Sequence, residues 1–592
     1  MGKFLKIYET LLAWINNKLS PRQILVGSSI MVGLTAGLAA VILKTVVHYI
    51  HLAITYDYHI KYQYYFYLVF PALGILLTVW FVQKHLKGKL GRGTANIMHS
   101  IAKKSSFLPK DQMYSHVITS ALTVGFGGSA GLESPIVVTG SAIGSNFGKT
   151  HHINYKDRTL LLACGAAAGI AGAFNSPIAG VLFALEVLLV DVSISAFIPL
   201  IIAAATGGLL SKIILKEDTL FSFKLIQPFD YHNVPYYIIL GLLAGFVSVY
   251  YARVYLSIDS FLKPRTKTVY GRALLGGISL AILILFFPSL FGEGYESIKT
   301  LALLNPERIF EHSILSSLVS NKWLVVLFIL LTMFFKTIAA AITIGSGGNG
   351  GNFAPSLFVG AYLGFAFAYI LNLLGIIHAP VSNFTIVAMA GVLSGVFHAP
   401  LTAIFLIAEI TGGYELMIPL MIVSASSFMI SKYFEPYSMD IKRLAKKGHV
   451  FTSDKDRNIL TSLKISKVME TDFQTVSPDA TLGDLVEIVT HSKRNIFPVV
   501  AEEMLLGVIV IDNIREIMFK QEMYNKVYVK ELMRKPYAII APDEEMESVM
   551  KKFDETGAWN LPVLNEGKYI GFISKSSIFV HYRNRLIRTT SE

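Results

Sequence analysis

Hydrophobic residues are distributed very unevenly along the chain. From about residue 22 to 440 they form a series of long apolar stretches, whereas the last ~150 residues alternate apolar and polar positions like an ordinary soluble domain. Several stretches are long enough to cross about 30 Å of hydrocarbon, most plainly 24–50, 64–82, 236–256 and the one that begins at 323–335. Others are interrupted by glycine and proline. Because exposed backbone is not tolerated in lipid, such broken helices predict a buried or water-filled transport pathway rather than a simple membrane anchor.

Composition supports a membrane protein. Of 592 residues, 53% are apolar and 16% are charged, against about 25% charged residues in soluble domains. The net charge of +12 comes with basic residues at both ends of the apolar region, and Lys and Arg concentrate on the cytoplasmic side of membrane helices. We therefore predict a multi-pass protein of the cell membrane with both termini in the cytoplasm and an even number of net crossings. Nucleic acid is not expected as a partner.

The N-terminal segment 1–21 is predicted to be a cytoplasmic amphipathic helix. Its apolar residues recur at helical spacing, and no apolar core is followed by a small-residue cleavage site as in a signal peptide. Cys164 is the single cysteine, which excludes an internal disulfide framework.

Two glycine-rich blocks indicate that the membrane region is duplicated. The block that begins at Gly125, GFGGSAGLESP, aligns with the block that begins at Gly345, GSGGNGGNFAP. A second pair of matches follows in the same order, with FNSP before Glu186 and FHAP before Glu409. We therefore predict two repeats, about 22–250 and 251–440.

Interrupted segments at matching places in two halves indicate a transporter's midplane site. A glycine-rich turn followed by proline starts a helix whose first N–H groups lack partners, and such an end carries about half a positive charge and binds anions. Two such ends, one per repeat, can converge on an anion. The alternative is that the glycines only allow close helix packing.

Three buried carboxylates are candidates for function or structure. Glu133 lies within the first glycine-rich block, where it would occupy the anion position itself and could leave it on protonation, so we predict a pH-sensitive gate. A capping role is the alternative. Glu186 and Glu409 stand at matching places in the two repeats, which favours a structural role as caps or ion pairs.

The motifs GLESP at 131–135, GNFAP at 351–355 and ACGAAAGIAGAFNSP at 163–177 together resemble the CLC chloride channel and transporter family. The resemblance implies an α-helical polytopic fold with an inverted internal repeat, and a homodimer with one anion pathway per subunit. It assigns Glu133 as the gating glutamate. The anion-binding positions that it implies are Gly131, Gly351, Asn352 and Phe353.

The chain departs from the family pattern at three places. Arg92 replaces the anion-coordinating serine, so either Arg92 or Thr94 is a candidate contact instead. The family's central tyrosine falls on Asp440, with Tyr437 one helical turn earlier. The position of the proton-transferring glutamate of family antiporters is Val187, which cannot carry a proton.

The last part of the chain resembles a tandem pair of CBS modules, an α/β module, predicted at 461–525 and 526–587 after a linker at 441–460. Matching VSPD and APD turns, then FPVV and LPV strands, carry the resemblance. It implies dimerisation and possible adenine-nucleotide sensing. The candidate nucleotide contacts are Gly571, Ser574, Ser577 and Asn513, although neither module has the ribose-binding aspartate.

Together these features predict a chloride-conducting channel of the lipid bilayer, gated by Glu133 and regulated by the CBS pair. Val187 favours a channel, and a proton/chloride antiporter is the alternative. A membrane-tethered nucleotide sensor or enzyme is more remote, because the sequence shows no nucleophile–base pair, metal-ligand spacing or P-loop ending. No cofactor is expected to be required; the substrate is chloride or a related anion.

Overall fold

The computed structural model describes residues 18–55, 63–91, 93–189, 194–216, 228–262, 268–303, 309, 313, 321–445, 460 and 463–591. The chain divides into two compact units, Met1–His449 and Val450–Glu592. The first is helical and the second combines a β-sheet with short helices, which confirms the predicted fold class. The predicted helix at 1–21 and the residues between 446 and 459 lie outside the described residues.

In the described part of the first repeat of the membrane unit there are eight helices. They are α1 (Pro21–Thr55), α2 (Gln63–His85), α3 (Gly93–Lys103), α4 (Gln112–Gly125), α5 (Glu133–Thr150), α6 (Tyr155–Phe174), α7 (Pro177–Phe183) and α8 (Ile194–Leu215). Helix α7 continues into one π-helical turn, Ala184–Leu188. The prolines of α5 and α7 stand in the first turn, where a missing N–H costs no intrahelical hydrogen bond.

The second repeat has a matching set of helices. They are α9 (Val234–Leu262), α10 (Val269–Phe286), α11 (Tyr295–Ala302), α12 (Lys322–Gly345), α13 (Phe353–Leu373), α14 (Val381–Phe397), α15 (Pro400–Ile410) and α16 (Met417–Phe434), followed by α17 (Met439–Ala445). Among the described residues, nine helices are long and apolar enough to cross a membrane. The four long stretches predicted from sequence are among them.

Packing partners show the correspondence between the repeats. Helix α1 packs on α6 and α8, and α9 packs on α14 and α16 in the same way. Helix α9 runs without a break through position 250, near which the repeat boundary is predicted, and its packing partners belong to the second repeat. Position 440, the predicted end of the membrane unit, lies inside α17, which packs on α3.

The centre of the membrane unit is formed by α5, α6, α13 and α14, most of whose described residues are buried. Glycines allow these helices to approach closely. A Cβ at Gly140 would lie 2.1 Å from the carbonyl oxygen of Gly165, and one at Gly360 would lie 2.5 Å from that of Ala388. Close helix packing, the alternative role predicted for the glycines, therefore applies to Gly140 and Gly360.

The C-terminal unit contains a four-stranded antiparallel sheet in the order β1-β2-β4-β3. The strands are β1 (Ile496–Ala501), β2 (Met504–Val510), β3 (Asn560–Asn565) and β4 (Lys568–Ser574), and the longer helices are α18 (Leu482–His491), α19 (Met546–Thr556) and α20 (Lys575–Ser591). Each pair, β1/β2 and β3/β4, is a hairpin with one register irregularity at a matching place. The sheet therefore repeats one hairpin twice.

The two modules exchange segments. Glu470 pairs with Phe572 of β4, while Arg534 pairs with Val508 of β2. Consequently Leu463, which lies in the predicted first module, packs in the hydrophobic core of the second. The two modules are thus interlocked by these segments.

Candidate functional site

The two glycine-rich blocks meet at the centre of the membrane unit. Gly131 N–H donates to Gly351 O at 2.9 Å, and Gly351 N–H donates to Gly131 O at 2.7 Å. This reciprocal pair lies just before α5 and α13, so the N-termini of these two helices converge. The sequence prediction of two converging helix ends, one from each repeat, is confirmed.

The loops before α5 and α13 are held by a second reciprocal pair. Ser129 N–H donates to Thr343 Oγ1 at 3.1 Å, and Asn349 N–H donates to Thr123 Oγ1 at 2.9 Å. Gly127 and Gly347 both adopt positive φ, of 93° and 118°, which explains glycine at these positions. Side chains of each repeat thus satisfy the backbone of the other.

Glu133 is the first residue of α5 and is buried, with 3% of its surface exposed. Its Oε1 accepts a hydrogen bond of 2.5 Å from the hydroxyl of Tyr295, at the start of α11. A Cβ at Gly131 would lie 2.1 Å from Glu133 Oε2 and 3.1 Å from Ala354 N. The carboxylate therefore lies between the two helix ends, where backbone N–H groups favour negative charge.

A cavity extends from this junction. It is lined by Gly93, Thr94, Glu133, Ser134, Val137, Ile170, Phe183, Tyr255, Ile344, Gly350, Gly351, Asn352, Phe353, Phe397 and Asp440. Of the predicted anion-binding positions, Thr94, Gly351, Asn352 and Phe353 therefore line one cavity with Glu133. Gly131 borders it through its bridge to Gly351, and Arg92 lies outside the described residues.

The uncertain central-tyrosine position is occupied by Asp440. Asp440 lines the cavity and its Oδ2 accepts a hydrogen bond from Thr94 Oγ1, whereas Tyr437 does not line it. A tyrosine that sequence reasoning missed, Tyr255 of α9, lines the cavity instead. One turn earlier, the hydroxyl of Tyr251 donates to Asn352 Oδ1 at 3.2 Å and so orients a predicted anion-binding residue.

Two further charged residues near Glu133 were missed. Glu293 Oε1 accepts a hydrogen bond of 3.3 Å from Leu132 N–H, immediately before α5. Lys336 is fully buried and donates to Gly292 O at 3.0 Å, which fixes the loop that carries Glu293. The rule that singled out Glu133, a charge in an apolar segment, would also have found both residues.

Glu186 and Glu409 are reciprocal helix caps, which confirms the structural role favoured for them. Glu409 accepts hydrogen bonds of 3.1 and 2.9 Å from the N–H groups of Ile178 and Ala179 in α7. Glu186 accepts 3.1 and 2.8 Å bonds from those of Leu401 and Thr402 in α15. Each repeat therefore satisfies the exposed helix start of the other.

Val187 lies in the π-helical turn after α7 and packs half-buried against the hydrophobic core. Among the described residues it does not line the cavity. A proton route through this position is absent on chemical grounds, since valine has no ionisable group.

The candidate nucleotide contacts in the C-terminal unit have internal partners. Ser574 Oγ donates to Glu470 Oε2 at 2.6 Å, and Ser577 Oγ donates to Val468 O at 2.7 Å. Gly571 faces the backbone, because a Cβ there would lie 2.7 Å from Glu470 O. Asn513 is exposed on a short helix after β2. The hydroxyls of Ser574 and Ser577, predicted as nucleotide contacts, thus fasten the end of β4 and the start of α20 to residues 468–470.

Residues 74–432 match the family model described as voltage gated chloride channel. The chain belongs to this family. Residues 465–520 and 529–584 match the CBS domain, so the CLC resemblance and the CBS pair are both confirmed. At the family level its function is anion transport across a membrane. It is a multi-pass membrane protein.

Relatives and solved structures agree with this membership. The chain is 28% identical over 386 residues to a putative chloride channel protein ClcB-like from Ralstonia nicotianae, which covers 64% of this chain and 85% of that protein. It is 27% identical to the H(+)/Cl(-) exchange transporter ClcA of Vibrio cholerae, over 52% of this chain and 64% of that protein. The fold is similar to that of a slow cyanobacterial Cl-/H+ antiporter, with a TM-score of 0.62, 22% identity and coverage of 73% of this chain and 99% of the other.

Proposed function

We propose that this protein moves chloride or a related anion through the cavity between α5 and α13 in exchange for protons. One observation carries the proposal: the buried Glu133 carboxylate lies where the two helix N-termini converge and is held there by Tyr295. A carboxylate and an anion compete for the same backbone donors. Protonation removes the charge of Glu133, so proton uptake and anion entry are linked at one group.

Passive conduction is the second candidate. The absence of an acid at Val187 favours it, and the Ralstonia relative is named as a putative chloride channel. Exchange is favoured by the presence of the proton-accepting Glu133 inside the cavity, and by the Vibrio relative, which is named as an exchange transporter. We therefore place exchange first, in contrast to the preference derived from Val187 alone.

Variants of Glu133 test the proposal in proteoliposomes with simultaneous chloride and pH electrodes. E133Q keeps the shape of the side chain without its charge, and E133A removes it. Both are expected to carry chloride without moving protons, because no titratable group remains at the helix ends. Proton movement that stays coupled to chloride in both variants would overturn the role of Glu133.

We also propose a homodimer with one pathway per subunit, cytoplasmic termini and regulation through the CBS pair. Orientation is testable with K535C, because Lys535 is exposed and the native Cys164 is buried. A membrane-impermeant thiol reagent should label K535C only after cells are opened. Light scattering in detergent should give two copies per particle.

Nucleotide regulation is tested by isothermal titration of the purified protein with ATP, ADP and AMP. Heat at or below millimolar ligand would support an adenine-nucleotide site. An S574A variant should weaken such binding only if the hydroxyl of Ser574 leaves Glu470 for the ligand.

A further inference from the structure

The cavity contains a second carboxylate besides Glu133. Asp440 lies in the first turn of α17 and lines the same cavity. An ionisable side chain in a membrane protein's interior is costly, which makes it a candidate functional group. The proposed exchange leaves a gap that such a group would fill, because Val187 cannot pass a proton to Glu133.

The fold holds the two carboxylates in a similar way. Helices α3 and α11 are the third helices of their repeats, and each offers a hydroxyl from its first turn. Tyr295 of α11 donates to Glu133, and Thr94 of α3 donates to Asp440. Each of the two carboxylates that line the cavity therefore accepts a hydroxyl hydrogen bond from the third helix of one repeat.

Two tyrosines and a charged cluster are the other ionisable groups described around Asp440. Tyr255 lines the cavity from α9, and Tyr251 is committed to Asn352. Lys442, on the same helix as Asp440, pairs with Glu435, which also accepts from Arg253. Among the residues that the structure describes, Glu133 and Asp440 are the carboxylates that line this cavity.

We propose that Asp440 is the second proton-carrying group of this transporter. The proposal rests on the proposed exchange function. The Asp440 carboxylate takes up a proton from the aqueous side on which the chain leaves the membrane unit, forming an O–H bond. It then gives this proton up across the cavity to the Glu133 carboxylate. Neutral Glu133 leaves the helix ends, and the anion that takes its place moves in the opposite direction to the proton.

A purely structural role for Asp440, as the link between α17 and α3, makes a different prediction. The test measures chloride and proton flux together in proteoliposomes for wild type, D440N and D440E. D440N keeps the size of the side chain and an oxygen that can accept from Thr94, but loses the titratable group. D440E keeps the acid. E435Q is the matched control, because Glu435 is a buried carboxylate nearby that does not line the cavity.

We expect D440N to carry chloride with at least a ten-fold lower proton-to-chloride ratio, while D440E and E435Q keep the wild-type ratio. A D440N protein with the wild-type ratio would overturn the proposal. Loss of both fluxes in D440N would also count against it, because the proposed role leaves anion movement intact. If the wild-type protein itself moves no protons, the proposed exchange function is refuted, and this outcome is distinguished from a failure of the Asp440 proposal by the wild-type measurement alone.

Discussion

The hydrogen bond from Tyr295 to Glu133 should set how strongly the gate competes with an anion. Y295F removes the hydroxyl and leaves the ring that packs against the core. A hydrogen bond to a charged group contributes about 1.5–3 kcal/mol, and each 1.4 kcal/mol changes an equilibrium about ten-fold. Without this hydrogen bond, the equilibrium between ionised Glu133 and a bound anion at the helix ends should therefore shift toward the anion by roughly 10- to 150-fold.

Isothermal titration of the detergent-solubilised protein with chloride measures this competition. Y295F should bind chloride more tightly than wild type, with the calculated factor as an upper limit. The difference should narrow at low pH, because a hydrogen bond between neutral groups is weaker. Y250F is the matched control, since the Tyr250 hydroxyl donates to Phe334 O at 3.2 Å outside the cavity.

A double-mutant cycle decides whether the effect acts through Glu133. In an E133Q background the charged partner is gone, so adding Y295F should change chloride affinity little. An equal change in both backgrounds would refute the reasoning, as would unchanged affinity in Y295F alone.

Three further predictions concern stability. E186A and E409A should each lower the free energy of unfolding by about 1–3 kcal/mol, because each leaves helix N–H groups of the other repeat unsatisfied. Thermal unfolding in detergent should show similar losses of stability for the two variants. A loss in only one variant would contradict their equivalence. G140A should cost about 1–3 kcal/mol through overpacking, since its methyl would lie 2.1 Å from a carbonyl oxygen of α6; an unchanged melting temperature would contradict this. In the C-terminal unit, the hydrogen bond from Arg494 lowers the pKa of Asp472. The stability that this pair contributes is therefore present above the ordinary aspartate pKa of about 4 and is lost as the pH falls below that value. R494Q should make unfolding of this unit less sensitive to acid, as measured by unfolding at a series of pH values.

The sequence was sufficient to predict the duplicated architecture and the convergence of α5 and α13. Glycine blocks mark both helix starts, because their backbone conformation and close approach exclude larger residues. The boundary between the repeats has no such marker, since the continuous apolar helix α9 carries no glycine or proline signal at 250. Its membership of the second repeat depends on packing partners, which periodicity does not contain.

The contacts of the carboxylates could not be predicted in the same way. Tyr295 and Glu133 are 162 positions apart, and Thr94 and Asp440 are 346 apart. Such pairs are formed only when the two repeats assemble, so no local pattern records them. The caps formed by Glu186 and Glu409 were closer to prediction, because their matching places in the repeats already favoured a structural role.

Chloride efflux from liposomes containing the wild-type protein, with external pH recorded at the same time, tests the central claim most directly. The account predicts chloride loss accompanied by proton uptake in a fixed ratio, driven by either gradient. Rapid chloride loss without proton movement would contradict exchange and restore the channel, and the absence of chloride flux would contradict transport through this cavity.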